Sequence, residues 1–117
     1  SGVLKQTQYS FSTRFENGKG TNPEELLAAA HAGCFTMALS AELGKVGITA
    51  DKLETTATIT LDQVAGGFAI TKSHLDLVAT IPGADKAQFD AAVKSAEVGC
   101  PVSKLCKAEI SVSAKLA

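Results

Sequence analysis

The alternation of apolar and polar residues predicts a strand near the start of the chain. Between residues 8 and 15, three aromatic residues and Thr13 alternate with polar ones, and Arg14 falls on the face opposite the aromatic side chains. This period of two is typical of a strand that is buried on one side. The Asn-Gly-Lys-Gly run over 17–20 is typical of the turn that would end the strand.

A long helix is predicted from Asn22 to about Leu43. Asn22 can cap the helix, Pro23 suits the first helical position, and Glu25 stands three residues after the asparagine, as in a capping box. Apolar or small residues occupy nearly every side of the helix over 26–39. We therefore expect it to be buried all round, at the centre of the molecule.

Two further strands are predicted from the next apolar patterns. Residues 53–61 alternate strictly between apolar and polar side chains, and the Val-Ala-Gly-Gly run over 64–67 makes a turn. The following run, 68–81, changes phase near Lys72 to His74. That slip indicates a β-bulge or an exchange of faces.

The last third of the chain predicts a second helix, a short helix and a final strand. Asp85 or a neighbour caps a helix that runs to about Glu97. Cys100 then precedes a proline and would be the N-cap of a short helix over 101–107. Alternation over 110–116 predicts the last strand.

These elements predict one α+β domain over 1–117, with an antiparallel sheet packed on the long central helix and on a second helix. The chain has 117 residues, of which 45% are apolar, enough for a core. Aromatic residues make up only 5% and Trp is absent, so a core shared between two chains would help. We expect a homodimer.

Charge and hydropathy exclude two classes of partner. A formal net charge of −1 with a single arginine gives no basic face for nucleic acid. The longest mostly apolar stretch, 26–43, contains His31, Ser40 and Glu42, so we expect it not to be a membrane span. No signal peptide opens the sequence, and we expect a cytoplasmic protein.

The three cysteines indicate a functional thiol in a reducing compartment, because their number is odd and they form no Cys-x-x-Cys pair. At an N-cap, the sulfur of Cys100 would face free amides, which favours thiolate. Cys34 lies midway along an apolar helix, where a thiol is inert unless a cation or hydrogen-bond donors are brought to it. Arg14 carries the single guanidinium. The alternative for each thiol is a small buried hydrophobe.

Helical geometry restricts Glu24, which stands ten residues before Cys34, or about 15 Å along one helix. The two side chains could meet only if two copies of the helix packed antiparallel. The alternative for Glu24 is a first-turn carboxylate that complements the helix dipole.

Four other candidates are interpreted as structural or solvated residues. Glu25 is interpreted as a capping-box carboxylate and His74 as a solvated histidine. His31 is interpreted as a buried, hydrogen-bonded histidine that could shape the pocket or pair with Cys34 on a metal. Cys106 is a cysteine outside the main pair. No further clustered ligands complete a tetrahedral metal site in the sequence.

Five segments resemble the osmotically inducible protein C (OsmC) family, related to the organic hydroperoxide resistance (Ohr) proteins. GTNPEEL over 20–26 and AAHAGCFTMAL over 29–39 resemble the central helix of the family. GCPVS over 99–103 resembles its second cysteine motif. TRFE over 13–16 and GFAITK over 67–72 resemble the OsmC branch in particular.

The resemblance implies an intertwined homodimer with two active sites at its interface. It implies that Cys34 is oxidised by peroxide to a sulfenic acid, that Cys100 condenses with it, and that Arg14 and Glu24 form an ion pair near the peroxidatic sulfur. Organic hydroperoxides are the implied substrates, with hydrogen peroxide a poorer one and lipoyl-type or other dithiols as the external reductant. No bound cofactor or metal is implied. Family members ordinarily carry roughly two dozen further residues before the segment that matches Ser1, and these form early strands.

Two functions follow as hypotheses. The first is a two-cysteine peroxidase, in which Arg14 lowers the pKa of Cys34 and Glu24 orients Arg14 or relays the peroxide proton. The second is a protein of the same fold that binds a small apolar ligand in the interface pocket, with thiols that only sense oxidation. The presence of both Cys34 and Cys100 favours the enzyme.

Overall fold

The computed structural model describes residues 1–15 and 18–117. In this part of the chain, a helical turn is followed by a long helix, a β-hairpin, two more helices and a last strand. The elements are α1 (Ser12–Phe15), α2 (Pro23–Lys45), β1 (Lys52–Val64), β2 (Gly67–Thr80), α3 (Lys86–Gly99), α4 (Pro101–Leu105) and β3 (Glu109–Leu116).

The sheet has the order β1-β2-β3 and is mixed. β1 and β2 form the expected antiparallel hairpin, but β2 and β3 pair in parallel, from Lys72 opposite Glu109 to Ala79 opposite Leu116. The antiparallel expectation is therefore wrong for β3, while the α+β class is confirmed. The physical reason is the crossover through α3 and α4, which returns the chain to the starting end of β2 before β3 begins.

The predicted β-bulge is confirmed at the phase slip in β2. Thr60 pairs with Lys72 and Leu61 with Ile70, so Thr71 is the extra residue. After the bulge, every second residue of β2 enters the core. Leu75 is buried there, whereas His74 lies on the other face of the strand. The bulge thus lets one strand present two different faces to its surroundings.

The N-terminus of α2 forms as expected. The side chain of Asn22 accepts a hydrogen bond of 2.8 Å from the backbone N–H of Glu25, and Pro23 is the first helical residue. The second half of a capping box is replaced by another contact, since the Glu25 carboxylate accepts from the Thr21 hydroxyl at 2.8 Å. Local sequence alone thus fixes where this helix starts.

The expectation that α2 is buried all round is wrong for the single chain. Its buried residues form one stripe, and the opposite face is open, with Met37 75% exposed. The reason is that the sheet and α3 cover only one side of the helix. The buried stripe consists of His31, Phe35, Leu39 and Leu43.

The core lies between this stripe, the inner face of β2 and α3. Its buried residues beyond α2 are Leu75, Leu77, Ala79, Ile81, Phe89, Ala92, Val93, Ala96 and Cys100. Asp85 caps α3 as predicted, by accepting from the backbone N–H groups of Ala87 and Gln88. A catalytic candidate, Cys100, thus belongs to the core.

By length and composition alone, α2 is long and apolar enough to cross a membrane. It has 23 residues, and its most apolar run of 18 residues has a mean hydropathy of 1.4. Core helices of soluble proteins can be equally long and apolar. In this structure α2 packs against β1 and α3.

The strand predicted between Tyr9 and Phe15 is wrong. Residues 12–15 form a helical turn, and Tyr9 makes only an isolated bridge to Thr21. Among the described residues, no strand of the sheet pairs with 12–15. Phe15 is 47% exposed and packs on Phe68 at the start of β2, with ring centroids 5.4 Å apart. Alternation of apolar and polar residues is not enough to form a strand, because a strand also requires a neighbouring strand to pair with. The expected turn over 17–20 and the TRFE segment each include a residue, Asn17 and Glu16, that lies outside the described residues.

Candidate active site

Cys34 and Cys100 come together where α2 contacts α4. Cys34 lies near the middle of α2, and Cys100 links the end of α3 to the start of α4 as the predicted N-cap residue. Their side chains interact, and both are free thiols. The fold therefore pairs two cysteines that are 66 positions apart in the sequence.

The two thiols are perturbed in opposite directions. Burial, followed by the contact with Cys100, raises the pKa of the Cys34 thiol. Burial also acts to raise the pKa of Cys100, but hydrogen bonds from Cys34 and from Ser103 and Val102 outweigh it, so that its pKa is lowered. The position at the start of α4 thus favours a thiolate at Cys100, as the sequence predicted.

The two sulfurs differ in their exposure to the protein surface. Cys34 is partly exposed and opens onto an apolar cavity of about 570 Å³, whereas Cys100 is 0% exposed. A molecule that enters the cavity therefore meets Cys34 first, with Cys100 behind it. The cavity is lined by Ala29, Ala30, Gly33, Cys34, Met37, Ala38 and Pro101.

Arg14 and Glu24 form the second predicted pair. The guanidinium binds the carboxylate through two contacts, Nε to Oε2 at 3.0 Å and Nη2 to Oε1 at 2.9 Å. Such a fork fixes the orientation of both groups. The pair lines a different cavity, of about 490 Å³, which shares no lining residue with the one at Cys34.

The structure thus brings the four predicted residues together as two pairs, not as one cluster. Among the described residues of one chain, no cation acts on the pKa of Cys34, which is shifted by burial, by Cys100 and by the backbone of Val102. The separation of about 15 Å along α2 between Glu24 and Cys34 is the reason.

His31 is buried and hydrogen-bonded, as predicted. Its Nδ1 lies 2.5 Å from the hydroxyl of Ser73 on β2, and its Nε2 lies 2.8 Å from the hydroxyl of Ser103 on α4. Burial lowers the pKa of His31. Ser73 could not be predicted as a site residue from the sequence, and Ser103 stood out only as part of a motif, because a serine carries no signal of its distant partners.

The remaining candidates lie apart from the paired thiols. Cys106 lines a separate apolar cavity with Leu27 and Ile70. His74 is clamped on the sheet by Ser111, 2.6 Å from Nδ1, and is not simply solvated. Among residues 1–15 and 18–117, no group of three or more His, Cys, Asp or Glu side chains is arranged to hold a metal ion.

The fold and the paired thiols define a cysteine-based redox protein of the α+β class. The chain belongs to the OsmC family, since the family described as OsmC-like protein matches residues 16–115. The resemblance drawn from the cysteine motifs is thereby confirmed.

Individual relatives support the OsmC branch. Over 116 residues the chain is 53% identical to peroxiredoxin OsmC of Escherichia coli K12. The match covers 99% of this chain and 81% of that protein. It is 36% identical over 106 residues to the organic hydroperoxide resistance protein of Xanthomonas axonopodis pv. citri, covering 86% of this chain and 69% of that protein.

Solved structures show the same fold. An organic hydroperoxide resistance protein OsmC from Legionella pneumophila superposes with a TM-score of 0.73 at 27% identity, over 99% of this chain and 83% of that one. The organic hydroperoxide resistance protein OhrB of Bacillus subtilis gives a TM-score of 0.65 at 30% identity, over 86% and 73% of the two chains.

Proposed function

We propose that this protein is a peroxiredoxin-like peroxidase that reduces organic hydroperoxides, and hydrogen peroxide less well, through Cys34 and Cys100. The observation that carries the proposal is the apolar cavity with Cys34 in its wall and the buried Cys100 in contact with it. The peroxiredoxin and hydroperoxide resistance names of the relatives support it.

The first step takes place at Cys34. Its thiolate attacks the distal peroxide oxygen, the O–O bond breaks, and the alkoxide that leaves takes up a proton to become an alcohol. Cys34 becomes a sulfenic acid, oxidised by two electrons. The apolar lining of the cavity favours a hydroperoxide with an organic group, because hydrogen peroxide has no apolar surface to bury there.

The second step protects the Cys34 sulfenic acid from further oxidation. Cys100 attacks the sulfenic acid, and the disulfide that forms prevents further oxidation. An external dithiol, of the lipoyl type or another, then reduces the disulfide and returns both thiols. This cycle needs no bound cofactor or metal, and it suits a reducing cytoplasm.

Activation of Cys34 requires a cation, since burial raises the pKa of this thiol and no cation from the described part of its own chain acts on it. We assign this role to Arg14 of a second copy, held by Glu24. Two α2 helices packed antiparallel through their open faces would place the Arg14–Glu24 pair of each chain near the other chain's Cys34. The exposed Met37 on that face supports such packing.

Peroxide turnover tests the proposal. Purified protein should consume cumene hydroperoxide faster than hydrogen peroxide in the presence of a dithiol, and Cys34→Ser should abolish this activity. Cys106→Ser is the matched control, because that thiol lines a different cavity. Undiminished turnover by Cys34→Ser would overturn the mechanism.

The apolar character of the cavity also favours a second function, the binding of a small apolar ligand with thiols that sense oxidation. In that case wild-type protein would oxidise once, in a stoichiometric reaction, and would show no sustained turnover with any dithiol. The same assay therefore separates the two.

A further inference from the structure

A buried chain of hydrogen bonds lies behind Cys100. It runs from Ser73 on β2 through His31 on α2 to Ser103 on α4, with ring nitrogen to hydroxyl distances of 2.5 Å and 2.8 Å. His31 is 0% exposed and its pKa is lowered by burial. The ring is therefore neutral at pH 7, with one nitrogen that donates and one that accepts.

Ser103 connects this chain to the sulfur. It is the third residue of α4, and Cys100 is the N-cap of the same helix, so the two residues are neighbours at the start of that helix. Against the effect of burial, hydrogen bonds from Cys34 and from the backbone and side chain of Ser103 lower the pKa of Cys100. Cys34 is the one titratable group that acts on the pKa of Cys100 among the described residues.

The tautomer of His31 decides which way Ser103 points. A hydroxyl that donates to sulfur must accept from elsewhere, and the N–H at Nε2 of His31 can supply that hydrogen bond. Nδ1 is then the acceptor and takes the hydroxyl hydrogen of Ser73. In the other tautomer Ser103 would donate to His31, and the sulfur would lose its donor.

We propose that His31 is a positioning residue for Cys100: by donating from Nε2 to Ser103, it holds the Ser103 hydroxyl hydrogen toward the sulfur that attacks the Cys34 sulfenic acid. The inference rests on the proposed function for that attack. In the step itself, the S–S bond forms and the S–O bond breaks. The hydroxide that leaves takes up the proton that Cys100 lost and becomes water.

Ionisation of Cys100 can be measured without any peroxide. Protein labelled with carbon-13 at the cysteine Cβ gives one NMR signal per thiol, and Cys34→Ser and Cys106→Ser assign the signals. Each signal is followed through a pH titration of the reduced protein. The variants are Ser103→Ala, His31→Leu and the conservative His31→Gln, whose amide can donate near the position of Nε2.

Loss of one hydrogen bond to a charged sulfur should reduce the thiolate fraction of Cys100 at pH 7 by about tenfold in Ser103→Ala and His31→Leu. His31→Gln should recover part of this loss. Ser111→Ala is the matched control, because it removes a similar serine–histidine hydrogen bond, to His74, away from the thiols.

An unchanged Cys100 titration in folded Ser103→Ala would overturn the inference, and so would an unchanged titration in folded His31→Leu. Ser103 is only partly buried on a five-residue helix, so its variant tests the idea even if His31→Leu does not fold. If the titrations shift as expected but wild type does not turn over peroxide, the proposed function fails and the positioning of Cys100 stands. If peroxide is consumed and no titration shifts, the positioning role fails.

Discussion

The thiols of Cys34 and Cys100 interact, and their pKa values are shifted in opposite directions. The accessible sulfur is the one whose pKa is raised, and the buried sulfur is the one whose pKa is lowered. In a single chain, the thiolate is therefore favoured at Cys100 and disfavoured at Cys34. This asymmetry suits a disulfide that closes as soon as a sulfenic acid appears, and it leaves activation of Cys34 to a group from outside the chain.

Removal of Cys100 should expose Cys34 to irreversible oxidation. In Cys100→Ser, repeated additions of hydroperoxide should convert Cys34 to sulfinic and sulfonic acids, because no thiol traps the sulfenic acid. Intact-protein mass spectrometry would show two or three added oxygens. Cys106→Ser should instead form the Cys34–Cys100 disulfide like wild type. A sulfenic acid that persists unchanged in Cys100→Ser would contradict the assigned role.

The two-chain site predicts complementation between inactive variants. Arg14→Ala and Cys34→Ser should each lack most activity, and the loss of the cation should lower the thiolate fraction of Cys34 about tenfold or more. Co-expressed with different tags and purified as a mixed dimer, they should regain one working site in two. If Arg14 acted within its own chain, the mixed dimer would stay inactive.

The open face of α2 predicts self-association. Met37 is 75% exposed beside the Cys34 cavity, and a charge there should weaken a dimer that buries this face. Light scattering at micromolar concentration should give a dimer for wild type and a larger monomer fraction for Met37→Glu. Val98→Glu, at a residue 58% exposed on α3, is the control. A monomeric wild type would remove the two-chain site.

Buried His31 predicts that stability falls in mild acid. Its pKa is lowered from 6.5 in the folded protein, so below about pH 6.5 the unfolded chain binds a proton that the folded chain does not. The stabilisation is complete above that pH and is lost as the pH falls through the lowered pKa. Urea unfolding across this range should show the slope in wild type and in His74→Gln. The slope should be reduced in His31→Gln, and equal slopes in all three would contradict the prediction.

Features that depend on neighbouring residues in sequence were predictable. The start of α2 at Asn22, the cap of α3 at Asp85 and the bulge beside Lys72 all follow from local patterns, because caps and pleats involve residues only a few positions apart. Cys100 as an N-cap belongs to the same group. Among site residues, Cys34 and Cys100 were found through their motifs, and the structure places them in contact.

Only the tertiary structure decided how these elements share their surfaces. It made β3 parallel to β2, left residues 9–15 without a sheet, and buried one stripe of α2 in place of the whole helix. It also joined Ser73 and Ser103 to His31 over 42 and 72 positions. The physical reason is that pairing partners, burial and the hydrogen bonds of a buried histidine are set by groups distant in sequence. No local pattern of one chain encodes which of them will meet.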